Sequence, residues 1–382
     1  MTSKQQNGEG IYYYLGNITS HITHVLPLYK ELGGTIIVTS EKARQRIESY
    51  GAAVIAIDNR PYIWMRPGRR PKRIHEHAIM GAQLKKTYDF LNTHASVVLF
   101  YDLFDIQHPE WLQKPKKVFL HHGNGLKPFF TMQPKRMKLL EDYDFIGSLS
   151  PYTREKFIQG GVPPEKLIDI GIARTDELAE ARQRSAAIRK EVVSSLSLQP
   201  TKKIILYAPT FWGDTSLHNV GPEIIRRVPD EYTLIFKPHP QTPIKIVKKY
   251  KQIAKRRKNV HIVRDEAGSM SPSSLLVACD LIIADLSSIV LEAILANKPI
   301  IFADDDPVAN RSSEYDQIRE IFTFSEKITP KNIDKLPRII SNALEKNIDE
   351  EIWKKVQNRA WFYPTSGAIS AIKDEIHRII ST

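Results

Sequence analysis

Short runs of β-branched and aromatic residues alternate with helical stretches along this chain, and the alternation starts twice. In the first half the strand-like runs are 11–15, 35–38, 53–56, 96–100, 117–120, 145–147 and 167–170. Between them lie helical stretches such as 21–32, closed by the stop signal Gly33-Gly34, and 41–50. This pattern predicts a parallel, doubly wound sheet. A charged, Ala-rich helical stretch, 176–201, ends in Ser-Leu-Gln-Pro, and beyond it the runs resume at 203–207, 233–236, 260–263, 281–284 and 299–302. A chain of 382 residues is long for one hydrophobic core. The expected fold class is therefore α/β, with two Rossmann-like domains facing a central cleft. The expected divisions are 1–180, 181–365, and a C-terminal helix, 366–382, that packs back across the domains.

In open sheets of this kind, ligands gather outside the carboxyl ends of the strands. His121-His-Gly-Asn-Gly-Leu-Lys127 follows one apolar run and Lys237-Pro-His-Pro240 follows another. Two histidines at two strand ends, more than a hundred residues apart, give the layout of an enzyme cleft. His122 is the candidate in the first segment, although the adjacent His121 competes for the inward position. In the second, two prolines fix the backbone around His239, and Lys237 adds a cation; a structural histidine in a tight turn is the plainer reading. Asp285-Leu-Ser-Ser288 lies where a strand ends and a helix opens, so Asp285, Ser287 and Ser288 either bind a phosphate or cap the helix. Glu292, one turn on, suits a ribose hydroxyl or is a surface helix charge. Thr210, at the end of Tyr207-Ala-Pro-Thr210, suits a phosphate or belongs to a plain turn.

The surplus of 55 Lys+Arg over 43 Asp+Glu favours polyanionic partners. One cluster, with Trp64, Arg66, Arg69, Arg70, Lys72 and Arg73 beside Tyr62, suits an anionic membrane surface. A second, running from Lys245 to Lys258, reads equally as a solvated helix face. No nucleic-acid signature accompanies the charge, so nucleic acid is not expected. Cys279 is the only cysteine, which excludes an internal disulfide and fits a reducing compartment. Asp304-Asp-Asp306 lacks a histidine ligand, and neither a metal nor another cofactor is expected. Walker, dinucleotide-glycine and nucleophile-elbow signatures are missing. With no apolar leader and no run of the roughly 18 residues that a bilayer span requires, the expected location is cytoplasmic, peripheral on the inner face of the cell membrane.

These segments, taken in order, resemble the CDP-glycerol glycerophosphotransferases of teichoic-acid synthesis, a family of two-domain GT-B fold. The family's His-Gly-Thr-Pro-Leu-Lys is met by His122-Gly-Asn-Gly-Leu-Lys127, and its Gly-x-Pro-Arg-x-Asp by Gly171-Ile-Ala-Arg-Thr-Asp176. Its Tyr-Ala-Pro-Thr falls on Tyr207 to Thr210, its His-Pro on His239-Pro240, and its Asp-Tyr-Ser-Ser on Asp285 to Ser288. Asn124 and Gly125 depart from Thr-Pro, and an Arg-Gly-Phe-Tyr segment expected after residue 303 is replaced by Ala309-Asn-Arg-Ser-Ser-Glu314.

The resemblance implies transfer of glycerol phosphate, or a related polyol phosphate, from a CDP-activated donor to a hydroxyl of a lipid-linked glycan or polymer, with release of CMP. The first domain would then be the acceptor side and the second the nucleotide-donor side. His122 is implied as general base and His239 as the catalytic partner that neutralises the phosphates. Lys237, Thr210, Arg174, Asp285, Ser287, Ser288 and Glu292 are implied at the donor, with Gly123, Asn124 and Lys127 supporting the acceptor side. A glycosyltransferase or UDP-sugar epimerase on the same fold is the alternative.

Overall fold

The computed structural model describes residues 10–16, 21–56, 74–101, 109–121, 137–210, 215–264, 270–285, 287–303, 318–346 and 349–382. Its strands form two wholly parallel sheets, as the alternation predicts. The first contains β1 (Ile11–Gly16), β2 (Thr35–Val38), β3 (Val54–Ala56), β4 (Val97–Phe100), β5 (Lys116–Phe119), β6 (Phe145–Ser148) and β7 (Leu167–Asp169), in the order β3-β2-β1-β4-β5-β6-β7. The second contains β8 (Lys203–Ala208), β9 (Tyr232–Phe236), β10 (Val260–Ile262), β11 (Leu281–Ala284), β12 (Ile300–Ala303) and β13 (Glu326–Ile328), in the order β10-β9-β8-β11-β12-β13. Each order reverses once, between β1 and β4 in the first sheet and between β8 and β11 in the second.

Near-continuous hydrophobic strands follow from burial on both faces. All four residues of β4 are buried, Val97 and Leu99 in one core and Val98 and Phe100 in the core on the opposite face. β11 repeats this, with Ile282 and Ala284 in one core and Leu281 and Ile283 in the other. The helix Ile22–Leu32 ends where Gly33 turns to φ 70°, a left-handed conformation that glycine adopts freely.

The helical stretch expected at 176–201 is two helices, Ala173–Gln183 and Ser185–Ser195. The first of them serves both domains: Ala173 packs in a core of the first sheet, Leu178 and Ala181 in a core of the second. The expected division at residue 180 falls inside it. The chain crosses again near its end. The helix Glu350–Ala360 buries Trp353, Val356 and Ala360 against the second sheet, whereas Ala368–Ser381 buries Ile372, Ile376 and Ile379 against the first.

Candidate active site

The reversal between β8 and β11 brings the loops that follow these two strands side by side, and Asp285 ties them together. Its Oδ2 accepts the Thr210 N–H at 2.7 Å and its Oδ1 accepts the Ser216 N–H at 3.1 Å. Both carboxylate oxygens therefore hold the loop after β8 in place, so Asp285 positions Thr210 rather than capping the next helix. That helix, Ser288–Leu295, has Ser287 at its N-cap in extended conformation, yet the serine makes no capping bond. The Ser287 Oγ is buried and has no hydrogen-bond partner among the described residues. A buried hydroxyl beside free helix N–H groups is suited to an anionic ligand. Ser288, the first helical residue, is exposed.

Lys237 leaves the end of β9 almost fully buried, its N–H bonded to the Tyr207 carbonyl at 2.9 Å. His239 is half-buried, and its Nδ1 accepts the Gln241 N–H at 3.2 Å. A neutral His239 in this arrangement carries its proton on Nε2, which leaves that nitrogen able to donate to a phosphate oxygen.

Glu292, one turn into the helix Ser288–Leu295, pairs with Arg174 at 2.5 Å, the two side chains being only 10% and 12% exposed. Burial pushes the Glu292 carboxyl up from its usual range, against the opposing pull of the Arg174 guanidinium and the Lys237 ammonium. Glu292 is thus no surface helix charge. The pair also joins the two domains, because Arg174 opens the helix that crosses from the first. Its neighbours in Gly171-Ile-Ala-Arg-Thr-Asp176 hold the C-terminal segment of the chain. Gly171 has φ 64°, and a Cβ there would lie 2.9 Å from the Tyr363 ring. Asp176 accepts the N–H groups of Gly367, Ala368 and Ile369 at 2.9, 3.2 and 2.9 Å, which caps the final helix. Sequence reasoning missed this cap. Three acceptor bonds from one carboxylate to backbone nearly two hundred residues away leave no local signal.

On the first sheet, His121 follows β5 with φ 63°, an uncommon conformation for a residue with a side chain. Its ring is buried, edge-on to Phe119 with centroids 5.4 Å apart. His121 thus has the inward orientation that the competing reading gave it, and the orientation of His122 lies outside the described residues. With His24 and Tyr101, His121 lines a small cavity of about 20 Å³ at the carboxyl ends of these strands. His122, Gly123, Asn124 and Lys127 lie outside the described residues, as do Trp64, Arg66, Arg69, Arg70 and Arg73. Among the described residues no group of three or more His, Cys, Asp or Glu is placed to hold a metal.

Comparison with known proteins decides the family. The profile of the CDP-Glycerol:Poly(glycerophosphate) glycerophosphotransferase family matches residues 61–365. The chain belongs to this family. Among curated relatives, a teichoic acid glycerol-phosphate primase of Bacillus subtilis (strain 168) is 29% identical over 208 residues, 50% of this chain and 50% of that protein. A teichoic acid poly(ribitol-phosphate) polymerase of Bacillus spizizenii is 29% identical over 176 residues, 43% of this chain and 27% of that one. The matches thus span half or less of those relatives' own lengths. Among solved structures, a variant of the wall teichoic acid polymerase TagF soaked with CDPG superposes with a TM-score of 0.63 at 16% identity, over 99% of this chain and 91% of that one. The UDP-GlcNAc 2-epimerase of Neisseria meningitidis bound to UDP-GlcNAc reaches 0.63 at 14% identity, over 96% and 99%. At such identities these likenesses speak for the fold alone. In this glycerophosphotransferase-family chain, the motif segments at Thr210, Lys237 to Pro240 and Asp285 to Ser288 converge on one strand-end site, and Arg174 reaches it from the other domain.

Proposed function

We propose that this chain transfers glycerol phosphate, or a related polyol phosphate, from a CDP-activated donor to a hydroxyl of a lipid-linked glycan or polymer. The observation that carries the reading is the site at the β8–β11 reversal, where the unsatisfied Ser287 hydroxyl stands at a helix N-terminus and buried Lys237, after the adjacent β9, acts on Glu292 of the same helix, in a member of this family. That combination suits a diphosphate: a cation for its charge, N–H and O–H donors for its oxygens.

In the reaction the acceptor hydroxyl oxygen bonds to the β-phosphorus, the bond from that phosphorus to the bridging oxygen breaks, and CMP departs with the electron pair. His122 takes the hydroxyl proton. Nε2 of His239 donates to the phosphate as its charge shifts toward the bridging oxygen, and Lys237 balances that charge. Little covalent work falls to the protein in such a transfer; positioning and fixed charge lower the barrier. Glu292 holds Arg174 at the rim of the donor site. Gly123, Asn124 and Lys127 support the acceptor side. The acceptor is reached from the inner face of the membrane, with the segment carrying Trp64, Arg66, Arg69, Arg70 and Arg73 in contact with anionic lipid.

Purified protein should turn over CDP-glycerol or CDP-ribitol and leave UDP-sugars unchanged. His122→Ala and His239→Ala should each lower turnover by about 10²-fold or more, the usual size of acid–base and charge-stabilising contributions. Turnover of a UDP-sugar alone, or variants that melt normally and keep near-full activity, would overturn the reading.

A further inference from the structure

We propose that the outward face of the helix Ile244–Ala254 is a docking strip for a linear phosphodiester polyanion, one end of which reaches the site at Lys237 and His239. Between Glu231 and Asp265 the chain carries seven lysines and three arginines and no acidic residue. At 100° per residue, Lys245, Lys248, Lys249 and Lys251 occupy about 160° of the helix circumference. All four are exposed, and so are Lys255, Arg256 and Lys258 just beyond the helix. Val247, Tyr250 and Ala254 fill the opposite, buried face.

Several exposed cations elsewhere have acidic partners close by. Arg44 pairs with Glu41 and Glu48, Arg227 with Glu223, Arg378 with Glu375, and Lys85 with Asp89, each within one helical turn. Among the described residues none of the seven exposed cations at 245–258 has an ion-pair partner. The exception in this run is Arg257, which turns inward to the carbonyls of Ile225, Arg226 and Val228 and to Asp230, and so has a structural role. Seven like charges held together without acids repel one another, and an anionic partner relieves that repulsion.

Two observations select the partner. The strip is one helix wide and about 16 Å long at 1.5 Å per residue, a shape for a chain rather than a sheet of charge. It also begins where the loop bearing Lys237 and His239 ends, so it continues the phosphate-binding strand end outward. A bilayer is the poorer fit: Ile244, 52% exposed, is the only large aliphatic side chain on this face, whereas interfacial helices bury several. The polymer's identity rests on the transferase reading above; its binding is measured separately.

The test is fluorescence anisotropy with a labelled poly(glycerol phosphate) oligomer across a salt series. One variant combines Lys245→Gln, Lys248→Gln, Lys249→Gln and Lys251→Gln. A control of equal charge combines Lys42→Gln, Arg46→Gln, Lys331→Gln and Lys335→Gln. The helix variant should bind about tenfold or more weakly at low salt, with a shallower salt dependence, because it releases fewer counterions. The control should bind like wild type, and calorimetric affinity for CDP should be the same in all three proteins. Equal losses in both variants, or none in the helix variant, would overturn the proposal. So would a helix variant that loses binding to anionic vesicles while keeping the polymer. If no CDP-polyol is turned over by wild type, the transferase reading fails, and the anisotropy series still decides this one.

Discussion

Arg174 and Glu292 lie 118 positions apart in sequence and 2.5 Å apart in space. Removing one partner of a buried pair leaves an uncompensated charge, at a cost of about 3–5 kcal/mol. Arg174→Ala should therefore destabilise the fold by that order, besides weakening donor binding. The pH dependence has a definite sign. An acid with a raised folded pKa favours the folded state below its unfolded value, near 4.5, and loses that contribution as pH climbs through the folded value. Without Arg174 the folded value rises further. The deficit of Arg174→Ala relative to wild type should accordingly widen from pH 5 to pH 8 in urea denaturation. A deficit that is constant with pH would mean that Arg174 does not shift the titration of Glu292 in this range.

At the scale of elements, two helix N-termini behave oppositely. The helix Ala368–Ser381 is capped from outside by Asp176, whereas Ser288–Leu295 leaves its N-cap serine without a bond. Asp176→Ala should cost about 1–2 kcal/mol as a lost cap and should release the final helix to limited proteolysis before the rest of the chain. Ser287→Ala with Ser288→Ala should leave stability nearly unchanged. It should weaken CDP binding by roughly 1–3 kcal/mol for each lost charge-assisted bond, read by calorimetry. This contrast also marks what the sequence could tell. Strands such as β4 and β11, apolar throughout and bounded by turns, announce themselves, and the motif segments follow them at their carboxyl ends. β13 escaped because Glu-Lys-Ile carries a single buried residue and no periodic signal. The double anchoring by Asp285 and the capping by Asp176 escaped because a carboxylate's partner is settled by topology, which local spacing does not encode. Glu292 could be expected at the strand-end site from its place in the helix, but its partner across the domains could not.

For the whole molecule, the chain crosses between cores at the helix Ala173–Gln183 and again ahead of Ala368–Ser381, and the first crossing carries Arg174 to Glu292 at the proposed donor site. Among the described residues no helix is long and apolar enough to cross a membrane. On the proposed reading a lipid-linked acceptor is met at the membrane surface, and the segment carrying Tyr62, Trp64, Arg66, Arg69, Arg70, Lys72 and Arg73 has the composition for that contact: two aromatic residues beside five cations. At about 1 kcal/mol per cation near such a leaflet, the five suffice for reversible attachment. Screening shortens their reach below about 8 Å above physiological ionic strength, so attachment should weaken as salt rises. The full chain should co-sediment with anionic vesicles at low salt and release at high salt, and neutral vesicles should leave it in the supernatant. Neutralising the five cations should abolish the low-salt binding while CDP affinity is retained, because the segment shares no residue with the proposed donor site. If the neutralised chain sediments as well as wild type, the contact with lipid is made elsewhere on the molecule.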